Sequence, residues 1–539
     1  MIRKTLLQFT LIVLLLPFGL SASGNDSPKL ILIHMDAVSS KALMEELHKG
    51  NMPNIERIFY DKGLKEKAIT YFPSKTPFVI SSIRDAKPIT EGDVVGWEIP
   101  DYNDEQSLKI ADSFLLMAFS KMRLARANLI YGLPVLNRLA DIALMNSIDY
   151  FDDYKVLEFY WYEIDTYGHF KGQEEYLERL RQFDRRLGRF IDKLDDDINV
   201  VIYADHGMVF GEGIRIEDDM KNIFGDRLKA FSYPTVYLTD PDEREIIAKE
   251  ITEKTELDFA FFIHNENSVK GFSNGNTLFF DFKDGTFRYR YEGNDPFKYF
   301  ENGYDGEFMS ADEWLRFSAD LEYPVTPVVV YWSLQNPNTG EIVTSFNDEK
   351  YAETGYSRSG NHGGFTGTEL VVPVLVKGPN VEYIGDFELL WLQELFNEIG
   401  DFEFRQTPRR DSHFISSRYL TRNKSTRTEI AISPYYRYRF ATEIDFGSYD
   451  SARFGRLWGQ FDLYRSYIAR LWFGAGVDFY GPDTIGMLLI KHEFHVQKFS
   501  VRTLVSTAGN HRFTLGYSIN KNFAVEVTNF TQVGFRLSI

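Results

Sequence analysis

The chain has 539 residues, a formal net charge of −18, 16% aromatic residues and no cysteine. That length accommodates two or more domains. The negative charge argues against a nucleic-acid-binding surface, which needs a basic face. The missing cysteine excludes disulfides, thiolate nucleophiles and thiolate-held metals, so any metal must be held by His and carboxylate. A phosphate-bearing substrate remains compatible, because bound cations reverse the local field.

At the N-terminus, Arg3 and Lys4 precede an apolar stretch from Leu6 to Leu20 and the small residues Ser21 to Gly24. This pattern predicts a secretory signal peptide over residues 1–23. Lys29 to His34 then reads as a buried strand ending in Met35-Asp36-Ala37. Next comes Phe72-Pro73-Ser74-Lys75-Thr76-Pro77, where two prolines bracket three polar residues in a stiff loop. Asp101 to Asp153 carries apolar clusters and is expected to be a helical insertion.

Val156 to Tyr162 is a further strand, followed by Asp165-Thr166-Tyr167-Gly168-His169. That short stretch is expected to form a loop that turns Asp165 and His169 onto one ion. Gln173 to Leu194 repeats apolar residues at helical spacing. It leads into the apolar run Asn199 to Ala204, which ends in Asp205-His206-Gly207. In open α/β sheets, ligands sit beyond the carboxyl ends of such strands. Asp205 and His206 there offer an oxygen and an imidazole side by side. Glu243 to Thr255 is helical by pattern, and Thr277 to Tyr291 is a hairpin turning at Asp284-Gly285. The glycine-rich Ser357 to Gly367 carries His362 and precedes an apolar strand from Glu369 to Lys377.

Together these stretches resemble the alkaline-phosphatase superfamily, and within it the type I phosphodiesterase/nucleotide pyrophosphatase family. The Asp36 strand end and the FPSKTP, DTYGH, ADHGM and NHGG stretches occur in that family's order. The resemblance implies a mostly parallel α/β sheet sandwiched by helices and two zinc ions, with manganese as the alternative. It implies one ion on Asp165, His169 and His362, and another on Asp36, Asp205 and His206. Thr76 would be the nucleophile, bound to the second ion. The chain departs from nucleotide pyrophosphatases in having Pro77-Phe78-Val79 after the nucleophile, where an asparagine is usual. It also lacks the asparagine about twenty residues on, where Val94 to Glu98 includes Trp97.

Beyond about residue 411 the pattern becomes strict alternation, as in Tyr436, Tyr438, Phe440, Thr442, Ile444 and Phe446 against Arg437, Arg439, Ala441, Glu443 and Asp445. About eight such segments predict an antiparallel β-barrel of outer-membrane type. Alternation alone also fits a soluble barrel with its apolar face inward.

The expected layout is a catalytic domain over 25–405, with insertions at 101–153 and 255–330, and a barrel over 412–539. The expected function is metal-dependent hydrolysis of phosphoric esters, most of all phosphodiesters, at a bacterial envelope. The outer membrane is the expected location, with the periplasm as alternative. The expected substrate is a small phosphoester or a lipid headgroup, with the barrel in contact with outer-membrane lipid. A phosphomonoesterase and an inactive phosphatase-like adhesin or envelope-assembly protein are the alternatives.

Overall fold

The computed structural model describes residues 29–61, 63–85, 90, 127–130, 144–145, 156–355, 357–381 and 389–398. In the C-terminal region it describes 414–420, 426–435, 440–449, 452–465, 469–480, 483–496, 498–509, 511–519, 523–530 and 532–538. The signal-peptide segment, Trp97 and most of the 101–153 insertion lie outside these residues.

Seven strands form the central sheet: β1 (Lys29–Met35), β2 (Leu64–Ile69), β3 (Ala127–Ile130), β4 (Val156–Trp161), β5 (Ile198–Ala204), β6 (Val371–Lys377) and β7 (Leu389–Trp391). Their order is β7-β2-β6-β5-β1-β4-β3. β6 runs antiparallel to β2 and β5, while the other neighbours are parallel. Every residue of β5 is buried, as its unbroken apolar run requires in a sheet covered on both faces. Each such Val or Ile contributes about 1.5–3 kcal/mol by leaving water. β3 falls inside the stretch expected to be helical. There the backbone of β4 offers a free edge, and pairing with it overrides local preference.

Five helices bear on the site: α1 (Ser40–His48), α2 (Pro53–Phe59), α3 (Thr76–Asp85), α4 (Glu163–Lys171) and α5 (Gln173–Ile191). α5 buries Tyr176, Leu180, Phe183, Leu187 and Phe190 along one face. On the same face Asp184 accepts from the backbone N–H of Asn54 and, at 2.7 Å, of Ile55, so one helix holds the start of α2.

A second sheet has eight strands and runs from Leu228 to Ser345, wider than the 255–330 stretch set apart in the sequence. Its hairpin, Asn276–Lys283 with Thr286–Glu292, turns at Asp284 and Gly285, both at positive φ. Phe259, Phe261, Val269 and Leu278 of this sheet share one hydrophobic core with Leu30 to Ile33 of β1.

The C-terminal strands close into an antiparallel barrel of ten, from Phe414–Leu420 to Gln532–Ser538, where about eight were expected. The count rises because Phe414–Leu420, which lacks clear alternation, pairs with the last strand and closes the ring. Its alternation resolves into a polar interior and an apolar exterior. Ile485, Phe499, Val505 and Phe535 point outward at 54%, 63%, 55% and 53% exposure. Inside, Arg502 donates to Glu526, Arg456 Nε lies 2.9 Å from Asp478, and Lys491 Nζ lies 3.3 Å from Glu493. Trp458 and Trp472 are buried in the same interior. The side chains of Arg437, Arg439, Glu443, Asp445 and Arg470 lie outside the described residues. Among the described residues no helix is long and apolar enough to cross a membrane.

Breaking one buried pair should cost more than deleting it. Arg502→Met leaves Glu526 without this partner and should destabilise the barrel by about 3 kcal/mol, whereas Arg502→Met with Glu526→Leu should recover most of that. Denaturant unfolding in detergent measures the difference; equal losses would contradict the interior ion pair.

Candidate active site

The sheet's topology gathers the site at one edge. β1, β4 and β5 are parallel, so the chain leaves all three at the same end, into Asp36, α4 and Asp205-His206 respectively. β2 is antiparallel to β6, and so runs with β5, and its end leads to Thr76. β6 starts at this edge, which brings in the loop carrying His362. Asp165 and His169 are buried on α4, four residues apart on one helical face. The expected loop is therefore a helix, because β4 passes straight into it after Tyr162. Gly168 leaves room on this helix, since a Cβ there would sit 2.9 Å from Met208 Cε. A Cβ on Gly207 would lie 1.9 Å from the Thr368 carbonyl oxygen, so glycine is required where that loop passes.

All seven residues singled out in the sequence come together. Asp165 Oδ1 lies 3.1 Å from His169 Nε2 and 3.5 Å from His362 Nε2. Beside it, His206 Nε2 lies 3.5 Å from Asp36 Oδ1 and 3.4 Å from Asp205 Oδ2. The His206 and His362 rings stack at 3.7 Å and join the two groups. Thr76 Oγ1 lies 3.0 Å from His206 Nε2 and 3.4 Å from Asp36 Oδ1, in the first turn of α3. Ser74 is committed elsewhere: its hydroxyl donates to the Gly364 carbonyl and accepts from Gly363 N–H, tying the Thr76 loop to the His362 loop.

The three histidines share a tautomer, set by their other nitrogen. His169 Nδ1 faces the Gly360 carbonyl at 3.0 Å, His206 Nδ1 its neighbour's at Gly207 at 3.0 Å, and His362 Nδ1 that of Ser74 at 2.7 Å. A carbonyl oxygen only accepts, so each Nδ1 carries a proton, and in the neutral ring each Nε2 turns a lone pair to the cluster. Asp165 Oδ1 and Asp205 Oδ2 are buried there and receive no hydrogen bond. Lone pairs of nitrogen and oxygen thus converge without a proton between them, which is the donor set a divalent cation needs. Among the described residues, two groups have ligand atoms close enough to hold an ion: Asp165 with His169 and His362, and His34 with Asp36 and Asp205. The second contains His34 where His206 was expected.

Charge acts on the same groups: against the effect of burial, Asp165 draws the His169 imidazole toward its protonated form. Burial, then Asp205 and Asp165, hold the Asp36 carboxyl well above its ordinary range. Burial also works to raise Asp165 and Asp205, but His169 beside the first and His206 beside the second outweigh it and depress both. Burial and His206 push His362 down to about 4, which keeps its ring neutral and able to ligate. Ala37, at φ 60°, turns the backbone in the left-handed region directly after Asp36 and donates its N–H to Asp205 Oδ1.

Sequence reasoning missed His34, Tyr160 and Glu369. The first two are polar residues inside doubly buried strands, which is a readable signal. Glu369 braces the His362 loop by accepting from Gly364 N–H at 2.7 Å and the Thr366 hydroxyl at 3.0 Å.

Residues 94–258 match the type I phosphodiesterase / nucleotide pyrophosphatase family. The match supports a phosphodiesterase-like hydrolase of phosphoesters; the matched family is metal-dependent and acts on small-molecule phosphoesters. The matched span contains Asp165, His169, Asp205 and His206; Asp36, Thr76 and His362 lie outside it and join the site through geometry. No curated protein matches the chain.

Burial pushes the Glu369 carboxyl up from an ordinary 4.5 to about 7. Folding therefore favours its protonated form, and its contribution to stability is lost as pH rises from about 4.5 to about 7, by roughly 3 kcal/mol. Glu369→Gln should flatten the unfolding free energy across that window. An unchanged pH slope in the variant would refute this assignment.

Proposed function

We propose that this chain hydrolyses phosphodiesters, with Thr76 as nucleophile and two divalent ions, zinc by the chemistry of the donors. One ion is assigned to Asp165, His169 and His362, the other to Asp36, Asp205 and His206. The observation that carries the reading is Thr76 Oγ1 within 3.0 Å of His206 Nε2, beside two abutting His/carboxylate groups. His and carboxylate ligation without sulfur favours zinc over softer ions, with manganese the alternative. Bound ions would lower the pKa of the Thr76 hydroxyl and offset charge on the phosphoryl oxygens.

The chain's own part follows from geometry. The Asp36 and His206 contacts orient Thr76 Oγ1, and the start of α3 lends partial positive charge to an anion there. Attack by Oγ1 on phosphorus forms the Thr76 ester bond and breaks the bond to the leaving alcohol, which departs with a proton. Water then attacks the phosphorus of phosphothreonine and releases the phosphomonoester, regenerating Thr76. Lys75, the cation next to the nucleophile, donates to the Tyr233 carbonyl. That anchoring favours a singly charged diester over a dianionic monoester, which needs free cations around it.

The barrel is read as an anchor in the outer membrane, reached by secretion. A barrel in water hides its apolar face; this one turns Ile485, Phe499, Val505 and Phe535 outward and pairs its charges inside. Lipid-headgroup diesters then become substrates within reach of the enzyme.

Three outcomes are expected. Purified mature protein with zinc should cleave a chromogenic diester faster than the matching monoester. Thr76→Ala should lower that rate on the order of 10³-fold or more with zinc content unchanged. Full activity in Thr76→Ala would remove the nucleophile assignment, and monoester preference would make the chain a phosphatase. In cell fractionation the chain should stay with carbonate-washed outer membranes. Recovery in the soluble fraction would end the anchoring reading.

A further inference from the structure

Behind the site lies a row of three rings. His34 on β1 is in register with Tyr160 on β4 and with Tyr203 on β5. Parallel strands stand about 4.8 Å apart, so side chains in register on one face stack. The His34 ring accordingly lies 4.7 Å from Tyr160 and 5.0 Å from Tyr203, nearly parallel to the latter. The sandwich fixes the plane of the imidazole and hence the direction of its nitrogens.

Each acidic residue of this half of the site divides its oxygens between two sides. Asp205 turns Oδ2 toward His206, while Oδ1 meets His34 Nε2 at 3.1 Å and Ala37 N–H at 3.3 Å. Asp36 turns Oδ1 toward His206 and Thr76, while Oδ2 accepts from the Tyr160 hydroxyl. His34 and Tyr160 are therefore stacked on each other, with His34 Nε2 facing the far oxygen of Asp205 and Tyr160 bonded to that of Asp36.

We propose that His34 is a positioning residue for the ion next to Thr76. It donates from Nε2 to Asp205 Oδ1 and, with Tyr160 on Asp36, sets both carboxylates toward His206. Its tautomer is then opposite to that of His169, His206 and His362. They present bare Nε2 atoms to the cluster; His34 presents Nε2–H. This inference rests on the two-ion reading above and deepens it.

The test measures zinc affinity and stoichiometry by competition with a chromogenic chelator, with cobalt as a spectroscopic substitute. His34→Phe keeps a ring between the two tyrosines and removes the donor, and His34→Gln restores one. In His34→Phe the affinity for one ion should fall by ~10–100-fold, the usual effect of losing a partner of a metal-binding carboxylate. The other ion should be held as in the wild type, and His34→Gln should recover most of the loss. The cobalt absorption bands of the weakened site should keep their position when it is saturated, because the ligands are unchanged. A band shift would make His34 a ligand and overturn the proposal. So would unchanged affinities, or equal weakening of both ions. A wild-type chain that binds fewer than two ions would instead overturn the two-ion reading, and the role of His34 with it.

Discussion

Three carboxylates buried at one edge of one sheet are the constraint on which the catalytic half depends. Asp36, Asp165 and Asp205 are 1%, 8% and 0% exposed. Each gives up hydration that its neutral neighbours replace only in part, and their charges repel at short range. The surroundings answer in kind. Three imidazoles are held with their lone pairs inward, a tyrosine donates to Asp36, and Glu163, two residues before Asp165, is neutralised by Arg186 at 2.8 Å. The arrangement remains short of positive charge, as a site built to receive cations must be.

The sheet makes that crowding achievable. No single strand or loop carries more than two of the ligands. They converge because parallel strands deliver their carboxyl ends to one edge and the antiparallel β6 delivers its amino end there. Glycines at 168 and 207 let the delivered segments come close, and the Ser74 hydroxyl knits the Thr76 loop to the loop of His362. A small shift of any one loop would separate the donor atoms gathered at this edge.

Much of this was legible in the residues. β1, β4 and β5 are continuous apolar runs that end in acids, and α5 has clear helical spacing; such patterns survive folding because burial imposes them. The ligands could be named because their motifs are local. What was not legible depends on contacts far apart in the chain. Nothing near Asp165 distinguishes a loop from a helix. The partners of His34 lie on strands more than a hundred residues away. Ala127–Ile130 becomes a strand only because β4 has an edge to offer. The period of two in the C-terminal region gave the barrel but not its inside, since alternation is symmetric between the faces. Only closure of the ring decides which face the charges of Arg502 and Glu526 share.

The number of barrel strands has a consequence of its own. Ten is even, and the strands alternate in direction, so Gln532–Ser538 finishes at the rim where Phe414–Leu420 begins, with Phe414 opposite Ser538. The chain enters and leaves the ring on one side. A globular domain tethered to the first strand has no cause to be threaded through the ring, whose bore is filled by Trp458, Trp472 and the ion pairs. Parity and plugging together give this barrel a fixed sidedness: the catalytic half is tethered at the one rim where the ring both begins and ends.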